Sequence, residues 1–182
     1  WDMGDVAAQW FSDFLGAPGL RLVRFDPEVR RLSSLAWTDG VEAPNQFADG
    51  FPLLVASEAS LDGLNARLRA GGHAPVGIER FRPNLVLAGV EAHDEDRLAE
   101  LRVAAAGGEV RLRPVKPCTR CPIPNIDPAS AASSPEVLET LSAYRADPRL
   151  DGALTFCMNA IILAGVGQTL RVGDAVAGDW KF

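Results

Sequence analysis

Apolar residues recur at helical spacing near the start of the chain. Val6, Trp10 and Phe14 lie four apart, Asp5 precedes them and Gly16 follows. That spacing puts the side chains on one face, Asp5 suits a cap and Gly16 a stop, so residues 5–15 are predicted to be helical. Residues 20–25 alternate instead, with Leu20, Leu22 and Phe25 set against Arg21 and Arg24. This is the pattern of a half-buried strand, blurred by Val23. No period holds from residue 26 to 50, where Trp37 is the evident anchor.

Residues 52–56 form a short buried strand that runs into Ser57-Glu58-Ala59-Ser60. Ser57 or Ser60 caps a helix with Leu61, Leu64 and Leu68 on one face, and Gly71-Gly72 ends it. Residues 84–88 are a second buried strand, and residues 109–115 alternate as a third. A helix is expected over 135–144, with Pro135 at the favoured first position. Two further strands, 154–163 and 169–177, follow, the second containing a Gly173-Asp174 turn signal. Short strands outnumber helices and do not strictly alternate with them. The expected class is therefore mainly β (α+β), a barrel-like sheet with peripheral helices.

Residues 116–128 stand apart, proline-rich and without a period, and are expected to be a rigid loop.

At 182 residues the chain is sized for a single domain, 1–182. Its net charge of −6 argues against a nucleic-acid polymer as partner, which would need clustered cations. No apolar run approaches the roughly 20 residues of a membrane span, so no membrane partner is expected. No signal segment opens the chain. Cys118, Cys121 and Cys157 are odd in number and lack a disulfide-framework spacing, which favours a reducing, cytoplasmic setting.

The strongest chemical signal is Lys116-Pro117-Cys118-Thr119-Arg120-Cys121-Pro122. A zinc site would need further ligands, and only Cys157, His73 and His93 remain. A thioredoxin-like pair would need a helix that Pro122 and Pro124 oppose. Two merely buried thiols form the plain alternative, which leaves the flanking cations and prolines unexplained. Lys116 and Arg120 are expected to favour a nearby thiolate, a soft ligand held by a rigid loop. Cys118 is expected to be a buried neighbour and Asp127 a turn residue, with Asp49 similar. Both histidines lie in polar stretches and are expected at the surface.

The run VKPCTRCPIPNIDP resembles the signature of MOSC domains, named for the molybdenum-cofactor sulfurase C-terminal domain, in their amidoxime-reducing branch. FADGFPLLVASEASLDGLNARL (47–68), ERFRPNLVLAG (79–89) and RVGDAV near the end resemble other family blocks in the same order. The resemblance implies a MOSC-type β-barrel with peripheral α-helices. It implies that Cys121 ligates molybdenum and is the catalytic residue. It also implies cofactor contacts from Gly50, Phe51, Arg82, Asn84, Thr119, Arg120, Cys121 and Asn159. The residue types suit such contacts, since arginine forks match phosphate oxygens, asparagine both donates and accepts, and glycine admits close approach.

The implied cofactor is the molybdenum cofactor (Mo-molybdopterin), and the implied reaction is reduction of N-hydroxylated compounds by oxygen-atom transfer to molybdenum. The implied partners are a small N-hydroxylated substrate and a flavin or iron–sulfur electron donor. The family label also carries pyridoxal phosphate binding, which none of these motifs supports. A second reading is a molybdopterin- or sulfur-carrier module without reductase activity. The family's N-terminal β-rich domain and the C-terminal 2Fe-2S domain of some relatives are expected to lie outside this chain. One departure stands out: Cys157 occupies a position where the family usually has glycine.

Overall fold

The computed structural model describes residues 1–181. Helix α1 spans Asp5–Leu15, and Gly16 ends it in the left-handed conformation, as glycine permits. Its apolar stripe is not buried: Val6, Trp10 and Phe14 stay exposed, and Ala8 is its buried residue. Residues 20–25 do not form the expected strand. A single bridge, Asp2 to Val23, is made there, and Arg21 pairs with Asp2 and Asp5.

Strand β1, Leu53–Ser57, runs into helix α2, Glu58–Ala70, through Ser57, whose hydroxyl accepts from the Ser60 backbone N–H. Of the two serines, Ser57 is the cap. Leu64 and Leu68 of α2 are fully buried, each contributing about 1.5–3 kcal/mol. After α2 the chain returns to strand β2, Leu85–Leu87, parallel to β1. The β1–α2–β2 segment is thus a parallel crossover unit.

Strand β3, Leu98–Ala105, was not among the expected strands: Ala99 to Val103 alternate, but both ends, Leu98-Ala99 and Val103-Ala104-Ala105, are apolar throughout. It makes a hairpin with β4, Gly108–Thr119, in which Leu101 faces Leu112 and Val103 faces Val110. The strand predicted over 109–115 therefore continues through Lys116–Thr119, where the rigid loop was expected to start. Pro114 and Pro117 fit because the register against the neighbouring strand shifts beside each, as expected where proline lacks a ladder donor.

Helix α3, Glu136–Ser142, is shorter than predicted. It is followed by the two-residue β5, Ala146–Asp147, and the long β6, Ala153–Ala164. The last strand, β7, Val176–Trp180, lies later than predicted. Residues 169–175 form no strand and turn at Val172-Gly173, where the Asp174 side chain accepts from the Arg171 N–H.

The sheet order is β2-β1-β6-β4-β3-β7, with β5 added on β6. It curls as a half-barrel, and among the described residues no pairing joins β2 to β7. The architecture is mainly β with peripheral helices. Successive residues of β1 serve different clusters. Val55 packs with Leu87, Leu101, Leu112 and Ala160, while Ala56 packs with Leu64, Phe81, Leu141 and Phe156. Among the described residues no helix is long and apolar enough to cross a membrane.

Candidate functional site

Four neighbouring strands bring one group of residues together. The loop entering β1 supplies Gly50 and Phe51, and the turn entering β2 supplies Arg82 and Asn84. Thr119 ends β4, with Arg120 and Cys121 just beyond it, and Asn159 lies within β6. All eight line a single cavity of about 320 Å³, together with Cys118 and Phe81. Register explains the meeting: Asn159 faces Leu54 of β1 on one side and Lys116 of β4 on the other.

Each residue sits there for a local reason. Asn84 ties the turn to β1 twice, its backbone N–H donating to the Leu54 carbonyl (2.9 Å) and its Oδ1 accepting from the Leu54 N–H (2.8 Å). Its side-chain amide N–H groups are not used in that tie. Arg82 has φ 56, and its exposed guanidinium makes no ion pair among the described residues. A Cβ on Gly50 would meet nothing within 4 Å, so packing within this chain does not demand glycine there. Phe51 is buried against Ala43 and Ile161 and serves the core as well as the cavity.

Cys121 is an exposed free thiol at the cavity. The cations expected beside it are directed elsewhere. Arg120 donates to Cys118 Sγ (3.1 Å) and to the Phe81 carbonyl (3.2 Å), and Lys116 Nζ lies 5.3 Å from the centre of the Trp37 ring. Cys118 is half-buried and lines the same cavity, rather than being a wholly buried neighbour.

Downstream, Pro122 leads into a 3-10 turn at Ile123–Asn125, which Arg80 holds through the Asn125 carbonyl (3.1 Å) and Asp127 (3.3 Å). Asp127 is a turn residue: its Oδ1 accepts from the N–H groups of Ala129 and Ser130, which hold its carboxyl below the usual range. The opposite wall is held by Arg31, which donates to the carbonyls of Gln46, Ala48 and Asp49. Asp49 is exposed and contributes its backbone. Neither Arg31 nor Arg80 carries a sequence signal, because their partners lie 15 to 18 and 44 to 47 residues away.

Cys157 is buried with φ 68 in the middle of β6. Thr155 and Met158 of β6 face Thr119 and Pro117 of β4, three steps against two, so β6 carries a bulge here. The left-handed backbone accounts for the glycine expected at this position. Burial pushes the Cys157 thiol well above its ordinary pKa.

His73 is exposed, but His93 is not the surface residue expected. The turn at Asp94–Arg97 tucks its ring against Tyr144 and Phe156, with centroids 5.7 and 6.0 Å away.

A family model of the MOSC domain matches residues 42–177. The chain belongs to the MOSC domain family. Mitochondrial amidoxime-reducing component 1 of Mus musculus is 40% identical over 182 residues, covering 96% of this chain and 51% of that protein. The Homo sapiens protein of the same name is 37% identical with the same coverage. Mitochondrial amidoxime reducing component 2 of Bos taurus is 37% identical over 147 residues, 79% of this chain and 41% of that protein. The chain spans about half the length of the curated relatives it matches most fully.

This MOSC site can be tested against a molybdenum cofactor on its own donors. Among the described residues no group of three or more His, Cys, Asp or Glu could hold a metal. An ion at Cys121 would therefore need further ligands from outside the described residues. The residues fit such a cofactor: a soft sulfur donor, the uncommitted guanidinium of Arg82 and a buried Arg120 Nε without a partner share one cavity.

Proposed function

We propose that this MOSC domain binds the molybdenum cofactor in the cavity between β1, β2, β4 and β6 and reduces N-hydroxylated compounds there. The observation that carries the reading is the convergence of Cys121, Arg82, Asn84, Arg120 and Asn159 on one cavity, in a relative of amidoxime-reducing components. When bound, the cofactor supplies two-electron chemistry able to accept oxygen from nitrogen.

The chain's own residues do the rest. Cys121, an exposed sulfur just beyond β4, would supply the protein's soft ligand to the metal. Arg82 and Arg120 present guanidinium groups to the anionic and polar parts of the cofactor, and Arg82 suits its phosphate. The amides of Asn84 and Asn159 meet donor and acceptor edges of the pterin. Gly50 leaves room for close backbone approach. A small N-hydroxylated substrate reaches the Cys121 side, and a flavin or iron–sulfur protein supplies the electrons.

The test is molybdenum per chain, with and without Cys121→Ser, in protein made with abundant molybdate, followed by reduction of an amidoxime with a chemical electron donor. Near-stoichiometric metal lost in the variant, with turnover in the parent, supports the reading. Metal retained in Cys121→Ser overturns the ligand assignment. Bound cofactor without turnover overturns the reductase reading.

A further inference from the structure

One wall of the Cys121 cavity has no ladder of its own. Phe47, Ala48, Asp49 and Gly50 line the cavity, yet among the described residues no backbone–backbone hydrogen bond is made by residues 46–50. Side chains fix the segment instead. Arg31 donates from Nη1 to the Gln46 and Ala48 carbonyls and from Nη2 to the Asp49 carbonyl, the last two at 2.7 Å. Asn45 adds a longer bond to the Ala48 carbonyl (3.4 Å), and the Phe47 ring meets Phe25 edge-on. Arg31 is itself anchored, because its carbonyl accepts from the Asn45 N–H (2.9 Å). Among the described residues its guanidinium pairs with no carboxylate, so its charge acts on the three carbonyls alone.

A planar trans peptide points its C=O and the next residue's N–H in opposite directions. No peptide bond here is cis. With the carbonyls of Gln46, Ala48 and Asp49 turned to Arg31, the N–H groups of Phe47, Asp49 and Gly50 are turned away from it. Arg31 is not among the residues that line the cavity and stands behind the wall, so the side facing away from it is the cavity side. None of the three N–H groups donates to an acceptor among the described residues. Backbone N–H groups gathered at a turn favour an anion.

We propose that Arg31 is a positioning residue for the cofactor. From behind the wall it turns the N–H groups of Phe47, Asp49 and Gly50 into the cavity, where they donate to anionic groups of the bound cofactor. The proposal rests on the cofactor reading above and adds the residue that aims this wall. Arginine suits the task because its fork carries donors on two nitrogens, which one ammonium does not.

The experiment has a binding arm that needs neither turnover nor molybdenum. Amide resonances are followed in the cofactor-free chain during titration with inorganic phosphate, and compared with those of chain produced with the cofactor. Molybdenum retained per chain after dialysis is the second readout. In the parent the N–H resonances of Phe47, Asp49 and Gly50 are expected to move downfield with either anion. In folded Arg31→Ala they are expected to stay, and cofactor retention to weaken about tenfold or more, the scale of one charged hydrogen bond. Arg30→Ala removes the neighbouring arginine, which pairs with Glu42 and touches none of these carbonyls, and should match the parent. Where Arg31→Ala does not fold, Arg31→Lys carries the test, with at least one of the three shifts lost. All three shifts kept in a folded variant, or none in the parent with either anion, would overturn the proposal. Shifts with phosphate in a parent that retains no molybdenum support the positioning role while the cofactor reading fails. Molybdenum retained equally by the parent and folded Arg31→Ala overturns the positioning role and leaves the cofactor reading standing.

Discussion

Arg120 donates to Cys118 rather than to Cys121, and it joins that thiol, 3.1 Å from Nη1, to the Phe81 carbonyl, 3.2 Å from Nη2. One guanidinium thus locks the end of β4 to the turn before β2, the two edges between which the cavity opens. The same side chain lies 5.4 Å from the centre of the Phe81 ring.

A lysine cannot span both partners. Arg120→Lys is expected to lose a charged hydrogen bond, about 1.5–3 kcal/mol, and to lower cofactor retention. Urea unfolding and molybdenum content check the two effects separately. Cys118→Ala breaks the same lock while leaving Cys121 in place, so on the proposed reading its metal content should fall no further than that of Arg120→Lys; complete loss of metal in that variant would contradict the assignment of Cys121 as the ligand.

Cys157 tests the bulge. A non-glycine residue in the left-handed region costs roughly 1–2 kcal/mol, and a small buried thiol recovers a comparable amount by packing. Cys157→Gly is therefore expected to stay within about 1 kcal/mol of the parent. Cys157→Val places a β-branched residue in the same conformation and should cost about 3 kcal/mol or more. Denaturation midpoints of the two variants decide it, and equal destabilisation would remove the backbone explanation.

Much of this could be read along the chain, and the reasons for the misses are physical. The Leu64–Leu68 face and the Gly16 stop are local features that appear where the pattern put them, and the cap falls on Ser57, one of the two serines the pattern offered. Strand β3 was missed because its ends, Leu98-Ala99 and Val103-Ala104-Ala105, are apolar throughout; between them Glu100 and Arg102 alternate with Leu101 and Val103, and Arg111 and Asp179 pair with the two charges. The α1 stripe specified a helix without specifying burial. At the site, the residues that the family resemblance pointed to line one cavity, and their convergence follows from strand order. Arg31 and Arg80 were not, because a guanidinium bound to distant carbonyls leaves no local trace.

Glu95 makes a third case. It is fully buried, and the hydroxyls of Ser57 and Ser60 lie 2.8 and 2.6 Å from its two oxygens. Ser60 Oγ also accepts from the His93 N–H (2.8 Å). Ser57→Ala removes a helix cap and a carboxylate hydrogen bond together, so it should cost about 2–4 kcal/mol rather than the roughly 1 kcal/mol of an ordinary cap. Glu95→Gln in the Ser57→Ala background isolates the coupling. A double-mutant cycle with no interaction energy would show that the serine acts as a cap alone.

His93 gives the chain an acid sensitivity whose sign follows from its surroundings. Burial, reinforced by the positive charges of Arg145 and Arg67 and opposed by Asp96, lowers its pKa from 6.5 to about 4. Tyr144 packs against the ring, and neither ring nitrogen has a partner. Above about pH 6.5 the imidazole is neutral in both the folded and unfolded chains, and it adds no pH dependence. Between about 6.5 and 4 the unfolded chain binds a proton that the folded one refuses, so stability falls as pH falls through that window and levels off below it. Replacing the ring with a non-titrating one, His93→Phe, should flatten that part of the stability profile while leaving the steeper carboxylate-driven loss at lower pH. Urea midpoints measured from pH 7.5 to 4 for both proteins check this. Parallel profiles would mean that the folded protein admits the proton freely and that the histidine is solvated.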